Sequence, residues 1–305
     1  MSTNNEIFVI SDKIERLVQF KKYYNIFNCD TNTRLNVIID NRKQDFDVSE
    51  IRDTFNIHYT KDMLEKVKPL LNNFDNPDMV DKILDIYGVA IKWLVFPYVH
   101  KILNIEKAMM MDDDVFLLQP IDEYFKKDYV YHNETVLGVM SKGVEKALKP
   151  LYSEYVDITK MREKPVFCLN SGQLIHKDND MLMTFLNKAF HPDVYNLLIF
   201  AVEKYKAKTG FINSNNKRSI GGKFWVLEQN IYSIYYKWLS ENGYDVAKFG
   251  PEVKVKETLL KPFDISRVKK LPKYIHYLPT DKTPLYEIYA KQIDRIINGE
   301  VNVPR

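Results

Sequence analysis

Three consecutive carboxylates, Asp112-Asp113-Asp114, stand between two short apolar runs, Lys107–Met111 (KAMMM) and Val115–Leu118 (VFLL). Carboxylates this close repel one another, so something positive must offset the local cost. A divalent cation does so, because hard Mg²⁺ or Mn²⁺ prefers oxygen ligands and shares its shell with bridging phosphates. If the preceding run is a strand of an open α/β sheet, the triplet lies at its carboxyl end, where such sheets place their ligands. A solvated acidic loop has the same composition, and the triplet by itself is compatible with either.

The elements that would position these acids read as α/β. Ile7–Ser11 (IFVIS) predicts a strand, followed by an amphipathic stretch through Phe27; Leu35–Asp40 (LNVIID) predicts a second strand and Asn56–Tyr59 a third. Strand alternating with helix argues for a mixed, mainly parallel sheet flanked by helices. Pro77 and Asp78 open a helical segment from Met79 to Ile102, which Pro97 should kink or split. Val136–Met140 and Val166–Leu169 read as further strands. Asp178 begins a helix, Trp225–Trp238 carries another, and Pro284 occupies the first turn of a last helix running to Asn298. Met109–Met111 reads as strand core, and Tyr232, Tyr235, Tyr236 and Trp238 as a packed helix face. No repeat or Pro/Gly/Ser linker interrupts the chain, so one domain over 1–305 with a less regular C-terminal portion is expected.

Composition narrows the class. The 305 residues can bury a substantial core, and 45% hydrophobic with 28% charged is ordinary for a globular protein. No run of about 18 apolar residues exists, so no transmembrane helix is expected. The stretch MSTNNEIFVISDK is polar and acidic where a secretion signal would be basic and then apolar. Cys29 and Cys168 make no disulfide framework, which fits a reducing, cytoplasmic location (the host cytoplasm if the protein is viral).

The residues from Lys92 to Tyr124 resemble the core of GT-A glycosyltransferases, especially the family 8 group related to glycogenin and bacterial galactosyltransferases. There a helix with a basic residue leads to a strand, a D-x-D motif, an apolar turn and a short helix. Three more segments match in order: Phe167–His176 (FCLNSGQLIH), Leu227–Asn230 (LEQN) and Tyr274–Pro284 (YIHYLPTDKTP). The resemblance spans residues 80–290 and implies a GT-A, Rossmann-like fold, with a nucleotide-binding half over 1–130 and a sugar- and acceptor-binding half over 131–305.

It also implies roles. Asp112 and Asp114 would be the outer D-x-D acids and, with His276, the metal ligands, while the donor's phosphates complete the shell of Mn²⁺ or Mg²⁺. Lys282 would neutralise the departing diphosphate. Lys92 stands where the family usually has arginine and supplies charge without a two-pronged fork. Asn170, Ser171 and Gly172 would line the sugar pocket, with Gln229 and its neighbour Glu228 beneath the anomeric carbon. Ser11 and Asp12 would meet the uridine or ribose, and Asp113 would lie against the nucleotide. Read without the resemblance, Asn170 and Gly172 also suit a turn between strands, and Gln229 an exposed helix position. The chain departs from the family at Asp113, where a small residue is usual, in Leu278-Pro279-Thr280, where glycine is common, and at Leu285, where an aromatic is usual.

The implied reaction is transfer of a sugar from a nucleoside-diphosphate donor, UDP-linked by the family's habit, to a hydroxyl with retained configuration. For the acceptor, charge is the guide. Residues 1–152 hold 20 Lys+Arg against 24 Asp+Glu, and 153–305 hold 24 against 17. Lys204, Lys206, Lys208, Lys217, Arg218 and Lys223 cluster around Tyr205, Phe211 and Phe224, and a second basic run spans Lys254–Lys273. A basic, partly aromatic rim suits a polyanion such as DNA, although scattered surface lysines give the same counts. The Lys/Asn/Ile/Tyr-rich style resembles proteins of T4-like phages, some of which glycosylate hydroxymethylated cytosine. Other readings are a carbohydrate, lipopolysaccharide or protein acceptor, or a non-catalytic module binding nucleic acid or nucleotide-sugar. The chain lacks a cationic amphipathic tail of the kind that docks on membranes, so no membrane partner is expected.

Overall fold

The computed structural model describes residues 5–27, 32–133, 140, 142–162, 169–205, 227–249, 253–256, 274–278, 291 and 293–301. They form two compact units. One takes residues 1–60, 111–126 and 249–305, the other 61–110 and 127–248, so the chain crosses between them repeatedly and neither is a continuous half.

In the first unit, strands β1 (Asn5–Ser11), β2 (Thr33–Ile39) and β3 (Asn56–Tyr59) run parallel in the order β3-β2-β1. The apolar runs of β1 and β2 are buried along most of their length, as strands covered on both faces require, whereas β3, at the end of the order, has no buried residue. Helix α1 (Ile14–Ile26) buries the stripe Arg16, Leu17, Phe20, Tyr23 and Tyr24, spaced at helical period. The stripe lands on Phe116, with ring centroids 6.5 Å from Phe20 and 5.7 Å from Tyr23. Phe116 belongs to β5 (Val115–Leu117), the edge of a three-stranded sheet of order β5-β10-β9, where β9 is Val253–Lys256 and β10 is Tyr274–Leu278. β10 runs antiparallel to β5 and parallel to β9.

The second unit arranges β4 (Lys107–Asp112, whose last two residues belong to the first unit), β6 (Tyr129–Asn133), β7 (Leu169–Lys177) and β8 (Val246–Lys248) in the order β4-β7-β6-β8. β6 pairs antiparallel with β7 and parallel with β8. The pairing of β6 with β7 jumps from Tyr131↔Leu174 to His132↔Asn170, so Ser171, Gly172 and Gln173 bulge out of it. Besides α1, the described α-helices longer than two turns are α2 (Thr60–Leu71), α3 (Asp78–Ile86), α4 (Lys142–Tyr152), α5 (Met181–Ala189), α6 (Pro192–Tyr205) and α7 (Leu227–Glu241). The protein is thus α/β, with mixed, mainly parallel strand pairing accompanied by helices.

The helix expected from Met79 to Ile102 is broken in two places. α3 stops at Ile86, Tyr87 is extended at φ −123° and ψ 76°, and a 3-10 stretch follows over Gly88–Leu94. Gly88 weakens the helix there, and Pro97 lacks the N–H that would reach the Trp93 carbonyl, so a widened turn over Tyr98–Ile102 follows it. Asn104, left-handed at φ 54°, ends the segment. Of the expected strand Val136–Met140 only Met140 lies among the described residues, and of Val166–Leu169 only Leu169, which opens β7. Met109–Met111 and Tyr232, Tyr235 and Tyr236 are buried core, as their patterns require.

Candidate functional site

The acidic triplet closes β4 and turns directly into β5. Its middle member is already engaged. Arg16 Nη1 donates to Asp113 Oδ1 at 2.7 Å, and Ser11 Oγ donates to Oδ2 at 2.7 Å while accepting the Lys13 N–H at 2.9 Å. Position explains the pair: Arg16 is the first-turn end of the buried stripe of α1, and Ser11 is the last residue of β1. The side chains of Arg16 and Asp113 are 7% and 12% exposed, so this is an ion pair away from bulk water. Burial pushes the Asp113 carboxyl up to about 6; Arg16 opposes the rise and Asp114 adds to it. Arg16 is raised by Asp113, Asp114 and Asp12 against the opposing effect of its own burial.

Asp112 and Asp114, half-exposed, flank that anchored residue. Their other neighbour is set by sheet register: His276 in β10 pairs with Val115, the residue after Asp114. The backbone therefore gathers two carboxylates and an imidazole-bearing residue at one strand end. Hard carboxylate oxygens with one imidazole form a donor set that suits Mn²⁺ or Mg²⁺ sharing phosphate oxygens. Among the residues whose side chains are described, no three His, Cys, Asp or Glu side chains form a metal-holding group. Asp12 is exposed, and Lys282 lies outside the described residues.

The second unit holds the remaining candidates. Glu228, 3% exposed at the start of α7, accepts the Ser171 hydroxyl at Oε1 (3.1 Å) and the buried Tyr87 hydroxyl at Oε2. Tyr87 Oη in turn accepts the Glu228 N–H at 3.3 Å. Burial, then the Glu228 charge, holds the Tyr87 hydroxyl far above its ordinary range, so it stays a donor. Ser233 Oγ accepts the Leu169 N–H at 3.1 Å and donates to the Gln229 carbonyl at 2.7 Å, tying α7 to the start of β7. Gln229 is half-buried, and its Oε1 is covered without a hydrogen-bond partner. Asn170 sits in β7 opposite His132, just before the bulge that contains Ser171 and Gly172. Lys92 lies in the 3-10 stretch, where its carbonyl accepts the Tyr232 hydroxyl at 2.8 Å.

A second buried network runs beside these residues. His100 Nδ1 lies 2.6 Å from the Ile105 carbonyl and must donate to it, so the neutral ring accepts at Nε2. That fixes His176 as donor through Nδ1 (2.9 Å) and as acceptor at Nε2 from Tyr235 Oη (3.1 Å), a tautomer assignment made from the network. Phe96 stacks on His100 with centroids 5.6 Å apart. Burial holds both imidazoles below their ordinary range, His176 well below.

Sequence reasoning did not single out Arg16, Tyr87 or Gln173. Arg16 carried a legible signal: an arginine on an otherwise apolar helix stripe needs a carboxylate. Tyr87 and Gln173 carried none, since an aromatic near a helix end and a polar residue in a strand are commonplace.

No protein-family model matches the chain, and no curated protein matches it. Among solved structures it is similar to mouse xyloside xylosyltransferase 1 in its apo form, at 11% identity over 92% of this chain and 99% of that one, with a TM-score of 0.48. It is also similar to the galactosyltransferase LgtC in complex with donor and acceptor sugar analogues, at 12% identity over 98% of each chain, with a TM-score of 0.46.

Proposed function

We propose that this protein is a metal-dependent glycosyltransferase of GT-A type, moving a sugar from a nucleoside-diphosphate donor to a hydroxyl with retention of configuration. The observation that carries the reading is the strand-end turn in which Asp113 is anchored by Arg16 and Ser11 while Asp112, Asp114 and the β10 position of His276 stand around it. Asp112, Asp114 and His276 would hold a divalent cation, which when bound supplies positive charge to the departing diphosphate. Lys282 adds a second positive charge to the leaving group. On the resemblance of the N-S-G and E-Q segments, Asn170, Ser171 and Gly172 would orient the sugar and Gln229 would lie under the anomeric carbon. Both oxygens of Glu228 accept hydroxyl hydrogen bonds in a buried position, which supports departure and attack on one face over a covalent intermediate on Glu228.

The acceptor in this reading is a polyanion, with hydroxymethylated cytosine in DNA as the specific case. Its support is compositional: the excess of 24 basic over 17 acidic residues in 153–305 and the Lys204–Lys223 run. No described helix is long and apolar enough to cross a membrane. Asp114→Asn tests the donor half. It should abolish Mn²⁺-dependent binding of nucleoside diphosphate and leave thermal stability equal or slightly higher, since one repelling charge is gone. Transfer at near wild-type rate would remove the metal assignment. Nucleotide release with and without hydroxymethylated DNA tests the acceptor; equal release would leave a carbohydrate or a protein side chain in its place.

A further inference from the structure

We propose that Gln173 reads a hydroxyl of the transferred sugar and so sets donor specificity, an inference that rests on the glycosyltransferase reading above. The Gln173 side chain is 1% exposed, and among the described residues nothing hydrogen-bonds either its Nε2 or its Oε1. A primary amide brings two donors and a two-lone-pair acceptor, and buried groups of this kind are nearly always paired in folded proteins. Both ends of one side chain are unmet at once.

Its place in the fold ties it to the candidate site. Gln173 closes the three-residue bulge that β7 makes against β6, a device that re-aims side chains and recurs beside functional sites. Two residues earlier in that bulge, Ser171 donates to Glu228 at 3.1 Å. The residue after Glu228 is Gln229, whose Oε1 is likewise buried and unpartnered. The one fully unmet amide, Gln173, and the unmet Oε1 of Gln229 thus belong to the two segments, β7 and the start of α7, that the Ser171–Glu228 hydrogen bond joins. Several nearby polar groups are satisfied, Tyr87 on Glu228, Ser233 on Leu169 and Gln229, and Tyr232 on Lys92, while Trp93 Nε1, on the ring beside Tyr87, is also buried without a partner among the described residues.

The ligand chemistry follows from the amide itself. A phosphate or carboxylate would satisfy Nε2 and leave Oε1 bare, and an apolar group would satisfy neither. A hydroxyl both donates and accepts, so it meets both ends of the amide, and a sugar presents several. A buried water has the same capacity, and that is the alternative which the experiment must separate.

Affinities for UDP, UDP-glucose and UDP-galactose, measured by titration calorimetry with Mn²⁺, would be compared between wild type and Gln173→Met, a near-isosteric change that removes only the amide. The variant should keep its UDP affinity, bind the preferred UDP-sugar about tenfold or more weakly, and lose part of the preference between the two hexoses. Its unliganded melting temperature should be unchanged or higher, because an unmet buried amide has been removed. Unchanged affinity for all three ligands would show that Gln173 holds only a buried water and would overturn the proposal. An equal loss for UDP and both sugars would also overturn it, as a general structural effect. If the Met variant does not fold, Gln173→Asn, which draws the amide back by one methylene, must show the same selective loss. Should wild type bind no UDP species while another nucleoside-diphosphate sugar binds, the comparison is made on that donor; if none binds, the glycosyltransferase reading fails first and takes this one with it.

Discussion

Arg16→Met would remove the guanidinium while filling much of its volume, leaving Asp113 buried beside Asp114. Burial pushes the Asp113 carboxyl up to about 6, with Arg16 and Ser11 holding it down, so without Arg16 it must titrate higher still. A carboxyl raised above its unfolded value binds more protons folded than unfolded. Stability therefore falls as pH rises between the two values, at about 1.4 kcal/mol per unit. In the wild type that fall ends near pH 6, whereas in the variant it continues. The penalty of the substitution should be smallest near pH 5, where Asp113 is protonated in both proteins. Above pH 6 it should grow by about 1.4 kcal/mol per unit, toward the roughly 3–5 kcal/mol cost of breaking a buried pair from one side. Urea unfolding of both proteins across about pH 5–8 reads this directly. In Arg16→Met/Asp113→Asn the gap to wild type should stay flat above pH 6, since nothing is left to titrate there. A single-variant penalty equal at both ends of the range would mean that the Asp113 charge does not set the cost of losing Arg16.

Three further outcomes follow from the buried networks. His100 and His176 are held below their ordinary range, so the folded state takes up fewer protons than the unfolded chain as pH falls below about 6.5, and stability should drop there by up to about 1.4 kcal/mol per unit per imidazole. His176→Phe should roughly halve that acid slope in urea melts over pH 5–7, and an unchanged slope would show that other groups cause it. Tyr87→Phe should cost about 1–3 kcal/mol, because it takes one hydroxyl from a buried carboxylate, and a loss within experimental error in the same melts would mean that Glu228 is satisfied without it. Leu17→Ala, at a fully buried position beside Arg16, should cost about 2–5 kcal/mol without the pH dependence of Arg16→Met, which separates packing from charge at the same helix turn.

Local pattern gave away what local forces decide. β1, β2 and β4 each carry an unbroken apolar run, Ile7–Ile10, Val37–Ile39 and Ala108–Met111, which a strand buried on both faces requires, and their boundaries in the fold fall within two residues of those read from sequence. Helical spacing persists from Met79 to Ile102 and Pro97 marks the change after it, but that spacing carries no sign of the break at Tyr87. At the break, Gly88 weakens the helix and the Tyr87 hydroxyl is engaged by Glu228, 141 residues away, a contact that no local spacing shows. The same distance problem hides the division of labour among the three acids. In sequence Asp112, Asp113 and Asp114 are equivalent, and only the fold brings Arg16, 97 residues earlier, onto the middle one. That contact changes the chemistry of the cluster. Three carboxylates with one buried guanidinium retain a formal charge of minus two, carried by the two outer acids on either side of the anchored middle residue. A monovalent cation would leave that charge half-balanced, and one divalent ion balances it. The departure of Asp113 from the small residue usual in the D-x-D motif is then no obstacle to metal binding, because this chain supplies, in Arg16, the counter-charge that the extra acid requires.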